Sequence, residues 1–188
     1  MKKIINFILI LTMVLFDTRY IVYSITSQNC HRLETYLALI PLLFIPTILK
    51  LFKVKISDSI ETMYFIFIFL AQFLGCGVNL YAKISWFDTF THLLSGTFFS
   101  IVSLYFLDKY KIKVKVNSLF FIIYVLGFTM LTASIWEFFE FAMDKIISSN
   151  LQHSIETGVT DTMVDMMAAF TGSILFLIGS NIKRILKK

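Results

Sequence analysis

Three pairs of ionisable residues stand inside otherwise apolar runs of this sequence. Asp88 and His92 occur in "WFDTFTHLLSG", Glu137 and Glu140 in "WEFFE", and Asp161 and Asp165 in "TDTMVDMM". Residues three or four apart share one face of a helix, so each pair projects from one side of its segment. Carboxylate oxygens and imidazole nitrogens on neighbouring helices form a donor set for Zn, Mn or Fe, and an all-oxygen subset suits Mg or Ca. Soluble four-helix carboxylate proteins build metal sites by the same device, although their Glu-x-x-His pairing is missing here. All six residues are candidate ligands of a divalent cation. Asp88, His92, Glu137 and Asp165 are also candidate catalytic groups. In that chemistry a carboxylate or His92 is the general base, beside a cation that activates water or polarises a phosphoryl oxygen.

Each residue also has a plainer use. Asp88 and Asp161 open helices, where a carboxylate caps the end and favours the dipole. His92 can serve as a polar contact between helices. Glu137 and Glu140 can snorkel to the surface, although a place near a helix C-terminus opposes the dipole. Asp165 lies one turn deeper than Asp161 and has the weakest structural excuse.

The elements that hold these pairs follow from composition. The chain has 188 residues, 57% of them hydrophobic, with 21 Phe and a mean hydropathy of +0.80. Charged residues are 15%, against about 25% in soluble domains. The expected fold is an all-α polytopic membrane bundle, one integral membrane domain over residues 1–188. About six spans are expected, near 4–25, 34–52, 60–81, 87–107, 118–142 and 161–182. No alternating run is long enough for a barrel strand, and helices are the other way to satisfy backbone groups in lipid. "MKKIINFILILTMVLF" imitates a secretion signal but lacks a small-x-small cleavage site, so it reads as an uncleaved first span. Pro41 and Pro46 should bend the second span. Gly75 and Gly77 in the third, and Ser95–Gly96 in the fourth, permit close helix contact. Cys30 and Cys76 are too few to define a metal motif or a disulfide framework.

Lys and Arg set the expected orientation. One side receives Lys2, Lys3, Lys50, Lys53, Lys55, Lys109, Lys111, Lys113, Lys115, Lys183, Arg184, Lys187 and Lys188, thirteen of the 17 basic residues. Both termini are then cytoplasmic. The net charge of +5 lies in short loops between spans, which argues against a nucleic-acid partner. This orientation puts the three acidic pairs near the outer ends of the fourth, fifth and sixth spans, at one depth. Five carboxylates and an imidazole cannot share that depth as bare charges. Asp17, Arg19, Arg32, Glu34, His31, His153 and Glu156 lie on the same side. Pairing within the fold is the expected role of Asp17, Arg19 and Arg32, and solvation that of His153 and Glu156.

These motifs resemble the bacterial inner-membrane family that includes YjdF. The likeness covers about residues 30–180 and carries Asp88, His92, Glu137, Glu140, Asp161 and Asp165, with "RLE" at 32–34 adding Glu34. The stretch "IETGVTD" departs from the Gly- and Gln-containing form of that family. A fainter likeness is to VanZ-like membrane proteins. The resemblance implies a multi-pass protein of the bacterial cytoplasmic membrane and names no reaction. Three functions stay open. The first is a metal-dependent hydrolase or transferase acting on a lipid head group or polyprenyl phosphate. The second is a transporter or ion-coupled permease, and the third a non-catalytic scaffold or accessory subunit. Membrane lipid is the expected partner; the sequence leaves the oligomeric state open.

Overall fold

A computed structural model describes residues 1–27, 33–111, 116–147 and 157–180. Among these residues every regular element is helical. The order is α1 (Lys2–Thr26), α2 (Leu33–Leu51), α3 (Asp58–Ile68) with a π-helical continuation (Phe69–Gly77), α4 (Leu80–Lys83), α5 (Phe87–Lys109), α6 (Ser118–Ile147) and α7 (Thr160–Gly179). Among the described residues, five helical stretches are long and apolar enough to cross a membrane: Lys2–Thr26, Asp58–Gly77, Phe87–Lys109, Ser118–Ile146 and Thr160–Gly179. In α2 the apolar stretch is shorter, Leu39–Leu51. The chain divides into two compact units, Met1–Asp88 and Thr89–Lys188.

The first unit is built on rings. Met13, Leu39, Phe65, Ile68 and Phe73 form its core. Phe16 meets Phe73 edge-on with centroids 5.0 Å apart, and Tyr20 stacks on Tyr36 at 4.6 Å. Pro46 lies inside α2 and cannot donate to the carbonyl four residues earlier. That carbonyl belongs to Leu42, and Tyr64 of α3 donates its hydroxyl to it at 2.8 Å. A neighbouring helix thus restores what the proline removes, as apolar surroundings require. Ser57 caps α3 by accepting from the Ile60 N–H, with Asp58 and Glu61 in the first turn. Further on, the Val78 N–H reaches back five residues to the Phe73 carbonyl at 2.8 Å, the π pattern. The sequence carries this span to residue 81, but the helix stops at Gly77 and restarts as α4. Asn79, at φ +67°, takes the left-handed turn between them, a conformation Asn tolerates better than most residues. The Tyr81 ring then folds back over Gly75, onto the space a Cβ there would need.

The second unit is built on small residues. A Cβ placed on Gly96 of α5 would collide with the Ala169 carbonyl of α7, and one on Gly172 would collide with the Leu93 carbonyl. These two backbones are closer than any side chain allows, the approach that small residues permit in membranes. Thr97 donates across the seam to the Gly172 carbonyl at 3.1 Å. Ser100 of α5 donates to Ser173 of α7 at 2.8 Å, and Thr129 of α6 lies 3.3 Å from each hydroxyl. All three are buried. An apolar cluster of Leu107, Phe121, Val125 and Leu177 closes the C-terminal end of the seam. Asn117 caps α6 by accepting from the Phe120 N–H at 2.8 Å. The helix continues to Ile147, five residues beyond the expected end.

Candidate functional site: an Asp–His–Asp group

Helices α5 and α7 run parallel and in register. Gly96 faces Ala169, and Ser100 faces Ser173. One turn before Gly96 on α5 stands His92, and one turn before Ala169 on α7 stands Asp165. The same register therefore brings them together. His92 Nε2 lies 3.8 Å from Asp165 Oδ2, with side chains 12% and 4% exposed. Asp88 lies one turn before His92 on the same helix, although the division into units falls just after it. Ligand atoms of Asp88, His92 and Asp165 all lie within 4.8 Å of one another.

The local sequence explains this placement. Position 88 is the second residue of α5, so its carboxylate sits at the positive end of the dipole. His92 follows on the same face, and Gly96 after it lets α7 approach. Had α7 been held off by a larger residue at 96 or 172, His92 and Asp165 would be too far apart to share a ligand. The seam positions the site.

The other three candidates stand outside this group. Glu137 of α6 is buried, 4% exposed. Glu140 accepts a hydrogen bond from Trp136 Nε1 at 2.9 Å, an i,i+4 contact within α6. Asp161 is in the first turn of α7 and half-buried. Among the described residues, the one group of at least three His, Cys, Asp or Glu at metal-ligating separation is Asp88, His92 and Asp165.

A family model described as a predicted membrane protein (DUF2238) matches residues 5–184. The chain belongs to that family. No curated protein and no solved structure matches it. The DUF2238 match covers both compact units and all six candidate residues, and it agrees with the five apolar helices of spanning length.

Elsewhere in this DUF2238 protein the outcome differs by residue. Asp17 of α1 is buried at 4% exposure, and its Oδ2 has no hydrogen-bond partner among the described residues. Arg19, two residues on, is exposed while Asp17 faces inward, and Arg32, also expected to pair within the fold, lies outside the described residues. Cys30, His31, Arg32, Lys113, Lys115, His153, Glu156 and the basic cluster after residue 180 lie outside the described residues, as does the Glu34 side chain. The hydroxyl triad of Ser100, Thr129 and Ser173 escaped sequence reasoning. Its one signal is the spacing of eight that separates both His92 from Ser100 and Asp165 from Ser173.

Proposed function

We propose that Asp88, His92 and Asp165 hold a divalent cation at the outer-leaflet end of the bundle, and that the protein is a metal-dependent hydrolase or transferase acting on a phosphate-bearing lipid. The carrying observation is the convergence of three ligand atoms within 4.8 Å. Two ligands bound at about 2.1 Å in tetrahedral geometry stand about 3.4 Å apart. The 3.8 Å between His92 and Asp165 is close to that value. The 4.8 Å limit of the whole group exceeds it, so side-chain rotation has up to about 1.4 Å to close. One imidazole and two carboxylates favour Zn, Mn or Fe over Ca. Three protein ligands leave a position for water or a phosphoryl oxygen, where a cation supplies charge stabilisation. Glu137, buried one helix away, is the remaining carboxylate suited to proton transfer.

The test is the metal content of purified full-length protein after chelation and reloading with Zn²⁺ or Mn²⁺. About one ion per chain is expected for the wild type, with loss in His92→Ala and Asp165→Asn and retention in Asp161→Asn and Glu140→Gln. Equal metal content in all five proteins overturns the cation site. Phosphate release from vesicles containing polyprenyl phosphate or phosphatidic acid then tests the reaction class.

A second reading draws on the hydroxyls. Ser100, Thr129 and Ser173 continue the polar face about two turns further along α5 and α7. A transporter would use such a line, with the acidic group as its cation or proton station. The Gly96–Ala169 contact interrupts it with packed backbone, which favours the first reading. Cation flux into proteoliposomes, abolished by Asp165→Asn, would reverse that order.

A further inference from the structure

Beside the Asp–His–Asp group, a groove of about 270 Å³ opens on the flank of α5 and α7. It is lined by Thr89, Leu93, Val164, Met167, Ala168 and Thr171. Leu93 and buried Ala168 form its floor, and the exposed Thr89, Val164, Met167 and Thr171 form its lips. From Val164 to Thr171 it runs about 10 Å along the helix axis. Its upper end is fixed by sequence adjacency: Thr89 follows Asp88, Leu93 follows His92, and Val164 precedes Asp165.

We propose that this groove seats one hydrocarbon chain of a membrane lipid whose phosphate lies at Asp88, His92 and Asp165. Three observations select that occupant. First, the flank belongs to two membrane-length helices, and its neighbours Phe90, Met163 and Phe170 are exposed apolar side chains that in a bilayer meet lipid. Second, the groove follows the helix axes, the direction in which a leaflet's chains run, rather than crossing them as a docked helix would. Third, the polar group stands at one end of it only, which matches a molecule with one polar end. A water-soluble phosphate ester would leave the groove unfilled.

Filling the groove depends on burial of methylenes in a shaped apolar contact, while head-group affinity depends on the charged residues. The two contributions can therefore be separated. The proposal rests on the head-group reading above, and the probes keep the two apart. Full-length protein in micelles is titrated with dioleoyl phosphatidic acid, with dioleoylglycerol (chains without phosphate) and with glycerol 3-phosphate (phosphate without chains), each with and without Mn²⁺. Met167→Trp/Thr171→Trp fills the groove from the α7 lip, and Thr89→Trp fills it from α5. Both should weaken the two long-chain probes about tenfold, through lost van der Waals contact with the shaped groove, and leave glycerol 3-phosphate unchanged. Long-chain binding equal to wild type in both variants overturns the chain seat. So does loss of glycerol 3-phosphate along with the chains, which would make the lips part of the site's own fold. If the wild type ignores glycerol 3-phosphate while the dioleoylglycerol contrast holds, the head-group reading falls and the chain seat stands.

Discussion

The two units solve the same packing problem with opposite materials. In the first, rings fill the space between helices: Phe65 and Phe73 are buried, Phe69 stacks on Phe73, Phe16 meets it edge-on, and Tyr20 stacks on Tyr36. In the second, the helices close until no ring fits, and hydroxyls and glycines occupy the seam. Lipid tails are as apolar as any core, so neither unit gains from hiding apolar surface as a soluble protein would. Rings hold by dispersion over a large contact and tolerate a shift of a few tenths of an ångström. A backbone seam holds by near contact and tolerates none. A proposed ligand group needs the less yielding kind of support, and its His92 and Asp165 stand on the second kind.

The largest expected effect breaks the contrast at its sharpest point. Gly96→Leu or Gly172→Leu drives a side chain into an opposing carbonyl and should cost about 3 kcal/mol or more, read by unfolding in mixed micelles. Metal binding should be lost with it. Gly77→Ala in the first unit meets its nearest atom at 3.6 Å, an ordinary contact, and should cost about 0.5 kcal/mol or less. Equal losses at positions 96 and 77 would refute the distinction. Next, Phe73→Ala empties a ring site in the first unit. Because lipid can solvate the freed surface, the expected cost is about 2 kcal/mol, below the 3–5 kcal/mol of soluble cores. Metal binding should be unchanged.

A smaller effect tests the proline repair. Tyr64→Phe keeps the ring and removes the donor to the Leu42 carbonyl, for an expected loss of about 1–2 kcal/mol. Pro46→Ala in the same background should recover most of it, because the helix then supplies its own donor. The smallest effect is Ser173→Ala. Interhelical hydrogen bonds in membranes average about 0.6 kcal/mol, and Ser173 donors and acceptors are shared among three hydroxyls, so a similar loss is expected in thermal unfolding. A loss above about 2 kcal/mol would show that the hydroxyls, rather than the close backbone approach, hold the seam.

The spans were legible because their signal is compositional. Boundaries failed where backbone chemistry decided them: nothing in "FLAQFLGCGVN" distinguishes a π-helical ending from an α-helical one, and the turn depends on Asn79 entering the left-handed region. Within the site, helical spacing placed Asp88 with His92, and Asp161 with Asp165, on shared faces. Spacing does not give the rotation of one helix about another. Asp165 turns to His92 while Asp161 stays at the rim, and that rotation is fixed by Gly96 and Gly172 contacting α7 and α5. Ser95–Gly96 was readable as a place for close contact, but its partner on α7 was not. Asp17 and Arg19 stand two apart, so their side chains leave α1 in different directions and adjacency alone does not make them partners.

The parallel register has a consequence for how the protein is made. Ser100 and Ser173 are 73 residues apart in the chain, and His92 and Asp165 are separated by the same length. At about 5–20 residues per second of synthesis, α5 waits roughly 4–15 s in the bilayer before its partner helix is delivered. During that interval the imidazole of His92 has no Asp165, and Gly96 presents a bare backbone to lipid or to any passing helix. Emergence of α7, after α5, therefore completes both the seam and the Asp–His–Asp group, and truncation before Thr160 would leave an inserted product unable to assemble either.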